Sequence, residues 1–265
     1  MAISKTEKML DRKEGGIGWI TFNNPARLNA VSIAMWEGLN DIVAAYEIDP
    51  EVRVIVVEGA GDKAFVSGAD ISEFAEKRSS PEAIALYNKT SQGATDRLKS
   101  CSKPTIAMIR GYCIGGGLGL ALSCDVRLST DAARFGVPAA KLGLGYDFEG
   151  VRKLVNLVGP SFAKEIFFTA RQFSAEEALV MGLINRAVPV AELDNLVQSY
   201  AQTICENAPL TISSIKTLVN ESLKDESVRN RSKCEQSILD CFNSLDYIEG
   251  RTAFMEKRKP KFKGC

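Results

Sequence analysis

Between residues 111 and 125 the chain reads GYCIGGGLGLALSCD. Three successive glycines, Gly115, Gly116 and Gly117, would each cost a helix or strand interior about 1 kcal/mol relative to alanine, so something must require them. They follow an apolar run at 103–109 that reads as a buried strand, and precede Leu118, Leu120, Ala121 and Leu122, which read as the first turns of a buried helix. At such a turn the leading backbone N–H groups have no intrahelical acceptor, and the helix dipole favours negative charge there. Without side chains in the way, a ligand can reach them. The stretch is therefore suited to holding an anion. A Walker-type phosphate loop needs a Gly-Lys-Ser/Thr ending, which is missing. The GxGxxG pattern fails because Leu120 and Leu122 stand where its last glycine belongs. Two readings stay open: an oxyanion developing on a thioester or ester oxygen during acyl chemistry, and close helix–strand packing without any ligand.

A second loop of the same kind, GAGDKAFVSGADI at 59–71, follows the β-branched run at 52–58 and leads into a charged stretch at 73–78 that reads as helical. Two small-residue loops after two parallel strands can set two N–H groups opposite one another, a more specific arrangement than either alone. The chain has no histidine, which excludes Ser-His-Asp and Cys-His nucleophile activation, HExxH zinc sites and any imidazole acid or base. Proton transfer must fall to carboxylates, lysine, tyrosine or water. The seven cysteines lack CxxC spacing and read as reduced thiols within packed elements.

The elements that must position these loops read as an alternating α/β pattern. Met9-Leu10 and residues 17–22, parted by Gly15-Gly16, read as a hairpin. Ser32 is placed to cap a helix running to about residue 46, with Met35, Leu39, Ile42 and Val43 at core spacing. Residues 174–193 and 196–207 read as helical, Pro209 opens another helix, and 221–246 reads as one long amphipathic helix.

At 265 residues the chain is long enough for a large core. Its 33 basic and 33 acidic residues balance, which argues against a nucleic-acid surface. There is no apolar run of membrane-spanning length. The opening residues MAISKTEKML lack a signal-peptide core, so a cytoplasmic home is expected.

AFVSGADI at 64–71 and GYCIGGGLGLALSCD at 111–125 together closely resemble the two signature loops of the crotonase (enoyl-CoA hydratase/isomerase) superfamily. The resemblance extends through NPARLNA at 24–30, ARFGVP at 133–138, FTARQFSAEEA at 168–178, GLINR at 182–186 and AFMEKRKP at 253–260. It implies an α/β fold of the crotonase (ClpP-like) type. A spiral of ββα repeats over residues 1–200 would carry a C-terminal helical trimerisation region over 201–265, and the protein would assemble as a homotrimer or a dimer of trimers. It further implies an acyl-CoA substrate whose thioester oxygen is held by the backbone N–H groups of Ala69 and Gly116, with coenzyme A part of the substrate and no separate cofactor. By the same resemblance Ala26, Arg27, Leu28, Ala64, Gly68, Ala69, Asp70 and Ile71 belong to the CoA groove. Phe254 and Lys257 would approach CoA from the same chain or a neighbouring subunit, with the basic tail at 251–265 as a lid over its phosphates.

The chain departs from the hydratases of that superfamily at two positions. They carry a glutamate three residues after the oxyanion glycine and another just after the proline of the FGxP segment, paired to deliver water across a double bond. Gly119 and Ala139 stand there instead, and neither can exchange a proton. The segment at 142–150, LGLGYDFEG, resembles the methylmalonyl-CoA decarboxylase branch, in which a tyrosine matched by Tyr146 helps hold the substrate carboxylate out of the thioester plane. Loss of CO2 leaves an enolate that two N–H groups can stabilise without a strong base. In a second reading Asp147, where dienoyl-CoA isomerases carry an acid, works alone or with Glu149 as a replacement hydratase or isomerase acid. A third is an acyl-CoA-binding protein that turns nothing over. The plain alternatives are a surface turn or ion pair for Asp147 and Glu149, and a packed aromatic for Tyr146.

Overall fold

The computed structural model describes residues 3–70 and 81–265. The chain opens with strands β1 (Met9–Glu14) and β2 (Ile17–Phe22), paired antiparallel with Glu14 opposite Ile17. The connecting Gly15 and Gly16 have φ of 58° and 86°, the positive values that match a two-residue turn to the twist of its strands. Helix α1 (Ile33–Ile48) is capped by Ser32, whose hydroxyl accepts the Met35 N–H.

Three times thereafter a strand is followed by a shorter strand and then a helix: β3 (Val54–Gly59), β4 (Ala64–Val66) and α2 (Pro81–Ser100); β5 (Thr105–Ile109), β6 (Tyr112–Ile114) and α3 (Gly116–Ala121); β7 (Val126–Thr130), β8 (Arg134–Gly136) and α4 (Phe148–Thr169). The first strand of each repeat enters a six-stranded sheet ordered β1-β2-β3-β5-β7-β10. The second enters a four-stranded sheet ordered β4-β6-β8-β9, where β9 is Phe173–Ser174 and β10 is Arg186–Val188. Strands β3, β5, β7 and β10 run parallel in the large sheet, as do β4, β6 and β8 in the small one. This is the α/β ββα spiral expected from the sequence. The main core lies between the sheets and α1, and includes Phe22, Phe65, Phe135 and Phe173.

Helix α5 (Ala175–Val180) starts in a reciprocal cap between Ser174 and Glu177. The continuous helix expected over 174–193 is therefore interrupted: after α5 the chain gives β10, and only then α6 (Leu193–Glu206). Leu193, Val197 and Ala201 of α6 cover the far face of the large sheet, against Trp19, Val56 and Met108. Helix α7 (Pro209–Ser222) begins at the expected proline. The single helix expected over 221–246 is broken: α8 spans Arg231–Phe242 and α9 Leu245–Met255. Glu221 is the reason for the break before α8, since its carboxylate accepts the Asn230 N–H at 2.9 Å and pairs with Lys224 at 2.6 Å, holding the chain in a turn between α7 and α8, while Ser244 caps the start of α9. Among the described residues no helix is long and apolar enough to cross a membrane.

Candidate active site

The two loops meet because their strands are neighbours. Strands β4 and β6 pair in parallel, Ala64 opposite Tyr112, so their C-terminal ends lie side by side and release residues 67–70 and 115–117 at the same edge. The short strands, rather than the long apolar runs read from the sequence, deliver the loops.

The glycine run resolves into three separate requirements. Gly115 has φ 56° and ψ −117° and sets the chain into α3, its N–H donating to the Gly136 carbonyl at 2.8 Å. Gly117 lies so close to β4 that a Cβ on it would stand 2.0 Å from the Val66 carbonyl oxygen. Gly116 is the exposed one. Added to it, a Cβ would lie 3.9 Å from the Ala69 nitrogen and 4.0 Å from the Trp36 ring, ordinary contacts. Gly115 thus serves the backbone turn and Gly117 close packing, while Gly116 leaves room beside an N–H.

Ala69 is oriented from the other side. Val31 N donates to the Gly68 carbonyl at 2.9 Å and Asp70 N donates to the Val31 carbonyl at 3.0 Å, a parallel bridge between Val31 and Ala69. In such a bridge the residue between the two bonded groups directs its own N–H to the opposite side. For Ala69 that is the side of Gly116. Among the described residues neither N–H has an acceptor. Two unengaged donors converging on one exposed spot can hold an oxyanion. Helix α3 is only six residues long, so the individual donors matter more than any helix dipole.

The Enoyl-CoA hydratase/isomerase family matches residues 12–265. A short-chain-enoyl-CoA hydratase of Clostridium acetobutylicum is 36% identical over 93% of this chain and 94% of that protein, and a crotonyl-CoA hydratase of Syntrophomonas wolfei is 35% identical over 97% and 98%. A crystal structure of an enoyl-CoA hydratase/carnithine racemase from Magnetospirillum magneticum superposes with a TM-score of 0.94 at 34% identity, covering 99% of this chain and 98% of that one. The chain belongs to the enoyl-CoA hydratase/isomerase (crotonase) family.

Around the crotonase loops, the groove residues named from the sequence fall into one connected patch. Ala26 and Arg27 are exposed and Leu28 is half-buried. Leu28 has a φ of 52°, and its carbonyl accepts the Ser67 N–H at 3.1 Å. The Arg27 guanidinium lies 2.9 Å from the carboxylate of buried Asp70, which fixes one loop to the other. Ala64 is buried, with its carbonyl bonded to Asn29 at 2.8 Å, and Gly68 is buried with a φ of 116°. Ile71 and the charged stretch at 73–78 lie outside the described residues.

Asn29 was not singled out in the sequence, yet it ties the patch together. Fully buried, it donates to the Ala60 and Ala64 carbonyls at 3.0 and 2.8 Å and accepts the Asn24 N–H at 3.0 Å. Its φ of 55° is tolerated by asparagine better than by most residues, and an asparagine at the end of the NPARLNA loop was the available signal. Asn29→Ala strands buried groups at both ends of these bonds, so it is expected to cost about 3 kcal/mol. Thermal unfolding should record a fall in Tm of roughly 5–10 °C.

The candidate acids are already engaged. Asp147 caps α4, its carboxylate accepting the Gly150 N–H at 2.8 Å. Glu149 pairs with Arg152 at 2.7 Å. At the hydratase glutamate positions, a Cβ on Gly119 would meet nothing within 4 Å, and Ala139 is buried in the main core. Pro138, next to Ala139, lies 3.8 Å from where a Cβ on Gly115, the residue that leads into α3, would be. Tyr146 packs edge-on against Phe167, ring centres 4.9 Å apart. Burial, reinforced by the neighbouring Asp147 charge, pushes its phenol up to about 12, so it stays a neutral hydrogen-bond donor.

Phe254 and Lys257 are not brought to this patch within the chain. Phe254 lines an apolar groove of about 610 Å³ with Leu210, Ile238 and Phe242, and Lys257 follows the end of α9 with a φ of 53°. The tail expected as a lid is bound to its own helix: Arg258 pairs with Glu249 at 2.7 Å, and the Lys263 and Gly264 N–H groups donate to Asp246. No thiol offers a nucleophile here, since burial pushes Cys124 up to about 12 and likewise raises Cys113. Among the described residues no group of His, Cys, Asp or Glu could hold a metal.

Proposed function

We propose that the chain processes acyl-CoA thioesters by stabilising an enolate between the Ala69 and Gly116 N–H groups, and that it forms this enolate by decarboxylating a malonyl-type thioester such as methylmalonyl-CoA. The observation that carries the reading is a pair of unengaged donors beside two positions, Gly119 and Ala139, that hold no carboxylate. The CoA part rests on what the relatives are named for. The electron pair of the breaking Cα–carboxylate bond passes into the thioester as CO2 leaves, its negative charge settles on the oxygen facing the two donors, and a proton delivered to Cα completes the reaction. No base starts it. Tyr146, neutral and donating, is the group we assign to the departing carboxylate. Arg27, held by Asp70, would flank the CoA moiety, with Phe254 and Lys257 contributed across a homotrimer or a dimer of trimers.

The test follows CO2 release from methylmalonyl-CoA and loss of the conjugated bond of crotonyl-CoA, separately. Release without hydration is expected, and Tyr146→Phe should slow it about 10–100-fold, the worth of one hydrogen bond to a charged group. Because the phenol ionises only near 12 and the chain has no imidazole, the rate should be level from about pH 6 to 9. Efficient hydration of crotonyl-CoA would instead give the reaction to Asp147 and Glu149, the reading that the relatives' names favour. Binding of both thioesters with no turnover would leave a carrier.

A further inference from the structure

A second cleft lies at the other end of α3 from Gly116, bounded by α7 and by the C-terminal turn of α2, the residues that follow α3 and the second turn of α4; its volume is about 430 Å³. Lys99, Arg127, Lys153 and Lys216 line it, with Asp125 as the only carboxylate among the lining residues. The cations are not loose surface charges. The Lys153 and Lys216 side chains are 9% and 8% exposed, and Arg127 is 5% exposed.

Their pairing leaves positive charge uncompensated. Lys216 takes Asp125, Nζ to Oδ2 2.7 Å, and donates to the Lys103 carbonyl. Asp125 is saturated further by the Thr105 N–H and hydroxyl. Among the described residues Lys153 reaches only the outlying Asp96, at 3.3 Å, and the Ser123 hydroxyl at 3.5 Å. Arg127 spends Nε on the Leu183 carbonyl and Nη1 on the Cys124 carbonyl, and among the described residues has no carboxylate within ion-pair distance. Lys99 likewise has neither an ion pair nor a hydrogen bond from its ammonium among them, and burial together with Lys153 and Arg152 lowers its proton affinity. A buried guanidinium that meets only carbonyls is costly unless an anion completes it.

The opposite wall is apolar, built from Ile212, Ile215, Val219 and Leu223 of α7 and its end. One wall of cations and one of aliphatic side chains suit a molecule with both characters. We infer that this cleft binds an amphipathic anion, its carboxylate or phosphate head placed between Arg127, Lys99 and Lys153 and its apolar body laid along α7. Buried Ser123, with Asn156 and Asn220, adds neutral polar groups to the lining.

Octanoate and octyl phosphate are the probes, measured by calorimetry on the full chain, with octanol as the uncharged control and inorganic phosphate as the bodiless one. Expected is saturable binding of at least one of the two anions, and the arm that binds names the head group. Octanol and inorganic phosphate should bind far more weakly. Lys99→Ala and Lys153→Gln should each weaken it about tenfold or more, whereas Arg27→Ala, in the acyl-CoA patch, should leave it unchanged. The inference is independent of the reaction assigned above, and turnover of wild type is read in parallel. Binding lost in Arg27→Ala but kept in the lysine variants would put the probe in the other site and overturn it. So would equal binding of inorganic phosphate, no binding at all, or a change of oligomeric state in the lysine variants, which would make the cleft a contact between copies.

Discussion

Gly116→Pro is expected to abolish most turnover and leave the fold standing. Gly116 is the first residue of α3, the helical position where proline is best tolerated because its N–H has no intrahelical partner and its φ suits the turn. The preceding Gly115, at φ 56° and ψ −117°, lies in the mirror image of the extended conformation that residues before proline adopt, and being glycine it is free to stay there. A Cβ at 116 has only ordinary contacts. The substitution therefore removes one oxyanion donor, and replaces it with a ring carbon, at little cost in folding. Loss of one such donor costs roughly 10²–10³ in kcat. If CO2 release and every other thioester conversion ran at wild-type rate in a folded Gly116→Pro protein, the enolate would be stabilised elsewhere and the site assigned here would be wrong. Alanine is the wrong probe at this position, because it keeps the N–H.

That substitution also shows what was legible in the sequence and what was not. The presence of an anion-holding turn could be read from GGG after a strand, and the same pattern at Gly68-Ala69 suggested its partner. The reason for each glycine could not be read. Only coordinates separate Gly117, pressed on the Val66 carbonyl, from Gly116, beside a free donor. Long signals survived: the Gly15-Gly16 turn, the Ser32 cap and the β-branched runs that became β3 and β5. Short ones did not. Strands β4, β6 and β8 have three residues each, too few for alternation to register, yet they bring the loops together. The break after α7 was hidden for another reason: Glu221 looks like any helix-surface acid until its carboxylate is seen holding Asn230. Asp147 and Glu149 were candidates by position alone, and local electrostatics claimed both, as a cap and as a partner for Arg152.

The converse experiment adds what the chain lacks. Gly119→Glu combined with Ala139→Glu is expected to raise crotonyl-CoA hydration from the wild-type baseline by about 10²–10⁴-fold, the usual contribution of a positioned acid or base, while suppressing CO2 release. Gly119 accepts the change readily: nothing lies within 4 Å of its Cβ position, and glutamate is the better helix former by roughly 0.5–1 kcal/mol. Ala139 resists it, being 5% exposed in the main core, so the second carboxyl enters a low-dielectric setting that raises its pKa and costs stability. Two carboxyls close together share one proton more easily than they carry two charges, the state that water delivery requires of an acid and a base acting together. The same pair repels a substrate that brings its own carboxylate. A single mechanism thus links the gain and the loss, and the single variants separate them: Gly119→Glu alone should lower CO2 release without conferring hydration. If the folded double variant gained no hydration, then the spacing of these two positions around the donors would differ from that of a hydratase. If it gained hydration but kept full CO2 release, charge repulsion would not be the reason that this chain does without the pair.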